Sequence, residues 1–177
     1  MRTRRRPNEV AEGFVSEPDN CREDALKILE RSLRTRVELE QKLRDKGHIA
    51  SVIAPVLDRL TEVGLVDDAE YARAWLSGRW GRRPSGWRRL QQELEHKGVS
   101  KDDIEKAREL LVARGTAPAE TDSASKLVAQ ARRRYAKLEP HVQRQRLYAL
   151  LARRGYDPDT IRRALAIDTP LESGVEA

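Results

Sequence analysis

The residues best suited to molecular recognition lie between positions 79 and 89. This segment interleaves two tryptophans with five arginines, in a stretch that also contains glycine, proline and serine. Arginine makes paired hydrogen bonds to phosphate or carboxylate, and tryptophan supplies a stacking surface or a protein-binding hot spot. We therefore predict a partner-binding loop, with candidate contacts Arg79, Trp80, Arg82, Arg83, Trp87, Arg88 and Arg89. The alternative is that both tryptophans fill gaps between helices while the arginine stems cover apolar surface.

A second basic cluster lies nearer the C-terminus. The chain carries a net charge of +6, and residues 121–167 hold eleven basic residues against four acidic ones. A one-sided basic excess favours contact with an anionic polymer or an acidic protein surface. The candidate nucleic-acid contacts are Arg132, Arg133, Arg134, Arg144 and Arg146. A solvated arginine-rich helix face is the alternative interpretation.

Residues suited to metal binding or catalysis do not form a recognisable pattern. The three histidines are His48, His96 and His141. None has a histidine or cysteine neighbour at metal-ligand spacing, so each is interpreted as a surface or helix-end residue. The single cysteine, Cys21, has no evident catalytic partner, and no phosphate-binding loop motif is present. We therefore expect no metal, no cofactor and a binding protein rather than an enzyme.

The elements that carry these residues follow a repeated pattern. A pair of leucines four residues apart is followed by a glycine four residues later and by an isoleucine six residues after that. The three copies are Leu39, Leu43, Gly47 and Ile53; Leu90, Leu94, Gly98 and Ile104; and Leu147, Leu151, Gly155 and Ile161. Leucines four apart share a helix face, and glycine is common just after a helix. The pattern predicts helices that end near the three glycines, with the second leucine of each copy buried.

The residues after each glycine predict where the next helix begins. Ser100 and Asp157 are good N-cap residues, and Pro158 stands where proline is favoured in the first turn. In the first copy Ile49 occupies the cap position and Pro55 falls near the first turn. The sequence therefore leaves open whether that helix begins at Ser51 or later.

Composition and periodicity together predict an all-α protein. The chain is 38% hydrophobic, 36% charged and only 5% aromatic, and few segments alternate with period two. Self-similarity at about fifty residues indicates a repeat array in which each unit buries its apolar face against others. We predict a disordered tail over residues 1–20, three-helix repeats over 21–64, 65–115 and 121–167, a linker over 116–120 and an acidic tail over 168–177.

The apolar runs of the chain and its single cysteine indicate the cellular compartment. The longest of them is far too short to span a bilayer, and no apolar stretch follows the basic N-terminal residues Arg2 to Arg6. A lone cysteine also suits a reducing compartment. We expect a cytoplasmic monomer that makes no membrane contact.

Three stretches of the chain resemble a known family. They are LRTRVELEQKLRDKG (33–47), LDRLTEVGLVDDAEYA (57–72) and GWRRLQQELEHKG (86–98). The ordered series of Glu-Leu-x-x-Lys-Leu-x-x-Lys-Gly, Gly-Leu-Val-Asp-Asp, Tyr-Ala and a second leucine helix ending in Lys-Gly resembles RecX, the bacterial regulator of the RecA recombinase. The resemblance covers about residues 21–167.

The resemblance implies both an architecture and a partner. The architecture would be an elongated, curved array of three three-helix repeats. The partner would be the RecA filament, whose strand exchange, ATP hydrolysis and co-protease activity such proteins restrain, with consequences for DNA repair and the SOS response. The alternative function is that of a general basic helical protein that binds single-stranded or double-stranded DNA directly.

Overall fold

Every element of the chain described here is an α-helix. In this computed structural model the described residues are 17–80, 84–117 and 119–167. Within them lie nine helices and no strand: α1 (Pro18–Leu29), α2 (Arg36–Asp45), α3 (Ala50–Glu62), α4 (Asp68–Trp80), α5 (Trp87–Glu95), α6 (Lys101–Ala113), α7 (Glu120–Tyr135), α8 (Pro140–Arg153) and α9 (Pro158–Ile167). The all-α prediction is confirmed.

The two predicted tails lie mostly outside the described residues. Helix α1 begins at Pro18, so the last three residues of the tail predicted over 1–20 are helical. Proline in the first turn and the carboxylate of Asp19 both favour a helix start at this point. Residues 1–16 and the acidic tail over 168–177 lie outside the described residues.

The chain divides into two compact units, with the boundary between Tyr71 and Ala72 inside α4. In the first unit α1, α2 and α3 contact one another in pairs. Their core consists of Cys21, Ala25, Leu39, Leu43, Ile53, Val56, Leu57, Leu60 and Val66. The start of α4 is tied to this unit, because the backbone N–H of Arg36 donates to Asp68 Oδ1 at 2.8 Å.

The second unit holds most of α4 and the helices α5 to α9. Helices α7, α8 and α9 contact one another around a core of Ala124, Leu127, Val128, Leu147, Leu151, Tyr156, Ile161, Ala164 and Leu165. Helices α5 and α6 also pack together. The buried residues from α4 to α6 include Ala72, Leu76, Leu90, Leu94, Val99, Ile104, Ala107 and Leu111.

The helix ends marked by the repeated pattern share one geometry. Gly47, Gly98 and Gly155 have φ angles of 97°, 84° and 84°, which glycine adopts without steric cost. At each end the residue after the glycine donates its backbone N–H to the carbonyl of the second leucine, over 3.1, 3.2 and 3.3 Å. These bonds complete a Schellman motif. The three leucines are fully buried, as the spacing predicted.

The helix starts also follow the expected chemistry. Ser100 Oγ accepts the backbone N–H of Asp103 at 3.1 Å, and Asp157 Oδ1 accepts that of Thr160 at 3.0 Å. The helix whose start the sequence left open begins at Ala50, with Ile49 at the N-cap position. Pro55 lies inside this helix.

A close approach between two glycines joins the second and third repeats within the second unit. The backbone N–H of Gly86, at the start of α5, donates to the carbonyl of Arg154 at 2.9 Å. A Cβ built on Gly86 would lie 2.3 Å from the backbone carbonyl carbon and oxygen of Gly155. Only a residue without a side chain fits at position 86, because the obstructing atoms are backbone.

Candidate functional site

The predicted recognition segment is divided between two helices rather than held in one loop. Arg79 and Trp80 form the last turn of α4, while Trp87 is the first residue of α5 and is followed by Arg88 and Arg89. The prediction of a loop is therefore wrong at both ends. The helical stripe of α4 continues past Leu76, and Gly86 is already the N-cap residue of α5. Gly81, Arg82 and Arg83 lie outside the described residues.

Two arginines of this segment converge on a single carboxylate. Arg79 Nη2 lies 2.7 Å from one oxygen of Glu93, and Arg89 Nε lies 2.9 Å from the other. Burial would raise the pKa of Glu93, but the hydrogen bond from Arg89 and the charge of Arg79 hold that pKa below its usual value. Glu93 is therefore ionised at neutral pH. The two arginines are partly neutralised by it.

The tryptophan at the start of α5 connects three helices. The guanidinium of Arg108 lies 4.5 Å from the centre of the Trp87 ring, a cation–π geometry. The backbone N–H of Trp87 donates to Glu120 Oε1, the first residue of α7. Trp87 is half-buried, and these contacts are those of a residue that packs between helices. They agree with the alternative interpretation, in which the tryptophans fill gaps between helices.

A second tryptophan contact lies on α4. The guanidinium of Arg79 sits 5.4 Å from the centre of the Trp75 ring, one helical turn away. Arg88, in contrast, is exposed at the start of α5. Of the arginines in this segment whose side chains the structure describes, Arg79 and Arg89 make internal ion pairs and Arg88 extends towards solvent.

The predicted nucleic-acid contacts lie on two adjacent helices of the second unit. Arg132 is half-buried on α7, and Arg133 and Arg134 are exposed at the end of that helix. Arg144 and Arg146 are exposed on α8. Helices α7 and α8 pack together, so both sets belong to one helix pair. Their role stays a prediction.

The titratable groups near the first core make structural contacts. The His48 side chain is fully buried, and its Nε2 lies 3.1 Å from Asp24 Oδ2. Lys46 Nζ donates to the other oxygen of Asp24 at 2.6 Å. Hydrogen bonds from Lys46 and His48 lower the pKa of Asp24. Cys21 is buried beside this cluster, and burial, followed by the negative charge of Asp24, raises the pKa of its thiol.

The other two histidines are exposed at helix ends, as the sequence predicted. His96 follows the last residue of α5, with Nδ1 2.7 Å from the carbonyl of Gln92, and His141 lies in the first turn of α8. In the described ranges no three His, Cys, Asp or Glu side chains are grouped as a metal site would require. None of the described helices has the length and apolarity needed to cross a bilayer.

Comparisons with known proteins match the three repeats one by one. The model of the first three-helix domain of RecX matches residues 21–60, that of the second domain matches residues 67–107, and that of the third matches residues 119–165. The predicted tandem of three three-helix domains is thereby confirmed.

Curated relatives and solved structures agree with these matches. The regulatory protein RecX of Thermobifida fusca is 36% identical over 152 residues, which cover 85% of this chain and 79% of that protein. The regulatory protein RecX of Mycolicibacterium smegmatis is 37% identical over 161 residues, covering 85% of this chain and 83% of the relative.

The fold is shared with a more distant solved structure. The crystal structure of RecX from Lactobacillus salivarius superposes with a TM-score of 0.75 at 21% identity, covering 85% of this chain and 95% of that chain. Domain models, relatives and fold point to the same conclusion. The chain belongs to the RecX family of regulatory proteins.

Proposed function

We propose that this chain acts in the cytoplasm by binding the filament of a RecA-type recombinase and restraining recombination, ATP hydrolysis and co-protease activity. The observation that carries the proposal is the match of all three repeats, in order, to the three RecX domains. The relatives are named regulatory proteins, and the family resemblance implies the recombinase as the object of regulation.

The three-repeat architecture supports a polymeric partner. Three repeats on one chain offer several contact surfaces, and a filament offers the same protomer surface many times. Linked contacts raise the effective concentration of each subsequent contact. A protein of this kind gains affinity for the filament over the free recombinase protomer.

The candidate contacts for this partner remain those of residues 79–89, from the last turn of α4 to the first turn of α5. Arginine and tryptophan dominate protein–protein hot spots. Arg79 and Arg89 are engaged with Glu93, and Trp87 with Arg108, so Arg88 is the preferred candidate among the residues whose side chains are described. Arg82 and Arg83 lie outside the described residues and stay candidates from the sequence.

The assay for this proposal is recombinase-dependent ATP hydrolysis on single-stranded DNA. We expect hydrolysis to fall when this protein is present well below the recombinase concentration, because one molecule bound to a filament affects many protomers. Arg82→Gln with Arg83→Gln should raise the concentration needed by about tenfold, equivalent to the loss of about 1.4 kcal/mol of binding. Lys101→Gln with Lys106→Gln, which removes the same charge from exposed positions on α6, should have little effect.

The same titration separates filament binding from competition for DNA. If hydrolysis falls only when the protein is abundant enough to coat the DNA, and the required amount scales with DNA rather than recombinase, the filament is not its target. Unchanged hydrolysis at every ratio would exclude regulation of this activity altogether.

A further inference from the structure

Two adjoining pockets lie in the second unit, where α5 meets the end of α8. The first has a volume of about 450 Å³, with Arg88 and Arg89 from α5 on one side and Arg153 on the other. The second has a volume of about 420 Å³ and is lined in part by Arg79, Arg89 and Arg154. Because Arg89 lines both pockets, they form one surface, which we call the arginine groove.

The arginine groove has a surplus of positive charge. Five arginines line it, and Glu93 is the one carboxylate among the lining residues. Glu93 is already bonded to Arg79 and Arg89. Arg88 and Arg153 are exposed, and neither forms an ion pair with any carboxylate of the described residues. Two guanidinium groups in the first pocket are therefore available to an external anion.

The walls of the groove are held together by backbone contacts. The Gly86 N–H bonds to the carbonyl of Arg154, and Arg89 Nη1 donates to the carbonyl of Arg153 at 3.4 Å. Arg154 in turn donates through Nη1 to the carbonyl of Pro84 at 3.4 Å. The backbones of the two walls and the side chains of Arg89 and Arg154 are thus held before any ligand arrives, which reduces part of the ordering cost of binding.

We propose that the arginine groove binds the phosphate backbone of single-stranded nucleic acid, with one phosphate in each pocket. A polynucleotide carries a regular series of single negative charges, and the groove presents two neighbouring arginine-lined pockets that share Arg89. Guanidinium groups bind phosphate oxygens through paired hydrogen bonds. This activity goes beyond binding of the recombinase and requires none to be present.

The lining indicates contact mainly with the backbone. Tyr156 is 3% exposed, and its hydroxyl lies 3.0 Å from Ser123 Oγ inside the core, so its ring offers no face to a base. The other ring in the lining is the exposed imidazole of His96, and because stacking tolerates any base, we expect no base preference. An acidic protein segment is a poorer match, because Leu127 and Ala152 give little apolar surface for an anchoring side chain.

The test of this proposal is the binding of a labelled oligo-dT strand to the full chain. Fluorescence anisotropy measures the affinity at several salt concentrations. Log affinity falls with log salt by about 0.7 for each phosphate neutralised on a single strand. Arg88 and Arg153 both line the first pocket, which holds one phosphate in this proposal. Arg88→Gln with Arg153→Gln should therefore reduce the slope by about 0.7. Arg88→Lys with Arg153→Lys keeps the charge and should keep the slope.

The matched control is Arg114→Gln with Arg163→Gln, which removes the same charge from two exposed positions outside the groove. This pair should leave the slope unchanged. Equal losses from both pairs would overturn the proposal in favour of diffuse attraction to a basic surface. Displacement of the strand by polyglutamate at equal charge concentration would assign the groove to acidic proteins instead. Circular dichroism of each variant verifies that the helices are intact.

Discussion

Single residues fill the same structural position in each repeat with different chemistry. The residue after the helix-ending glycine is His48, Val99 or Tyr156, and each is 3% exposed. Val99 satisfies the position with an apolar side chain alone. His48 pairs instead with Asp24 on α1, and Tyr156 pairs with Ser123 on α7. The backbone motif thus fixes the burial of this residue, and the first helix of the same repeat supplies a partner when the residue is polar.

Asp24 gives the first repeat a pH-dependent contribution to stability. Its pKa is lowered in the folded protein by Lys46 and His48. The stabilisation is therefore complete above the pKa of an unfolded aspartate, about 3.9, and is lost as pH falls through the lower folded-state pKa. Asp24→Asn should cost on the order of 1 kcal/mol at pH 7. The difference in melting temperature between the Asp24→Asn variant and the unmodified protein should disappear as pH falls below about 4.

Glu23→Gln provides the control for this pH profile. Glu23 lies next to Asp24 on α1, and its ion pair with Lys27 is exposed on both sides. Exposed pairs of this kind contribute little to stability. If the difference in melting temperature between Asp24→Asn and the unmodified protein stays constant from pH 7 to pH 3, the carboxylate charge does not stabilise the fold.

The sequence could predict residues whose role depends on their immediate neighbours along the chain. Ser100 and Asp157 act as caps through groups three residues away, so the local pattern was sufficient. The partner of Arg79 is Glu93, which lies fourteen residues further along on another helix. His48 was expected at a helix end and is there, but its burial against Asp24 depends on how α1 packs. The periodic pattern of the sequence gives no information about such pairings between residues far apart in the chain.

At the scale of the helices, the repeated spacing predicted both where helices end and which leucines are buried. Positive φ at glycine and the leucine carbonyl bond are consequences of the same local sequence. The loop predicted over 79–89 was wrong because tryptophan and arginine do not end a helix, and α4 extends to Trp80. The contact of Gly86 with Gly155 had no signal in the sequence, since these residues are far apart in the chain and each also suits a helix end.

Gly86→Ala tests the close approach between α5 and the end of α8. The added Cβ would lie 2.3 Å from the backbone of Gly155, and backbone cannot rotate away as a side chain can. We expect destabilisation by about 1–3 kcal/mol or more, as for overpacked sites, measured by urea unfolding. Gly78→Ala is the matched control, because Gly78 is an exposed α4 residue with nothing within 4 Å of the added Cβ. That change should stabilise the protein by up to about 1 kcal/mol. A Gly86→Ala protein as stable as the original would contradict the described contact.

At the scale of the whole molecule, the two compact units carry different polar groups. The second unit combines the arginine groove with the exposed arginines of α7 and α8. The first unit has a cluster of Asp24, Lys46 and His48 beside its core. Family membership was predictable because its motifs are local and ordered along the chain. The groove was not predictable, because Arg88 and Arg153 are brought together only by the packing of the second and third repeats.

The central claim is that this protein recognises the recombinase filament rather than its separate components. Co-sedimentation measures this directly, with recombinase–DNA filaments, DNA alone and recombinase alone compared at a salt concentration that weakens binding to phosphates. The account predicts that this protein pellets with filaments at concentrations where DNA alone retains little and free recombinase retains none. Equal pelleting with DNA alone, at matched DNA, would contradict it.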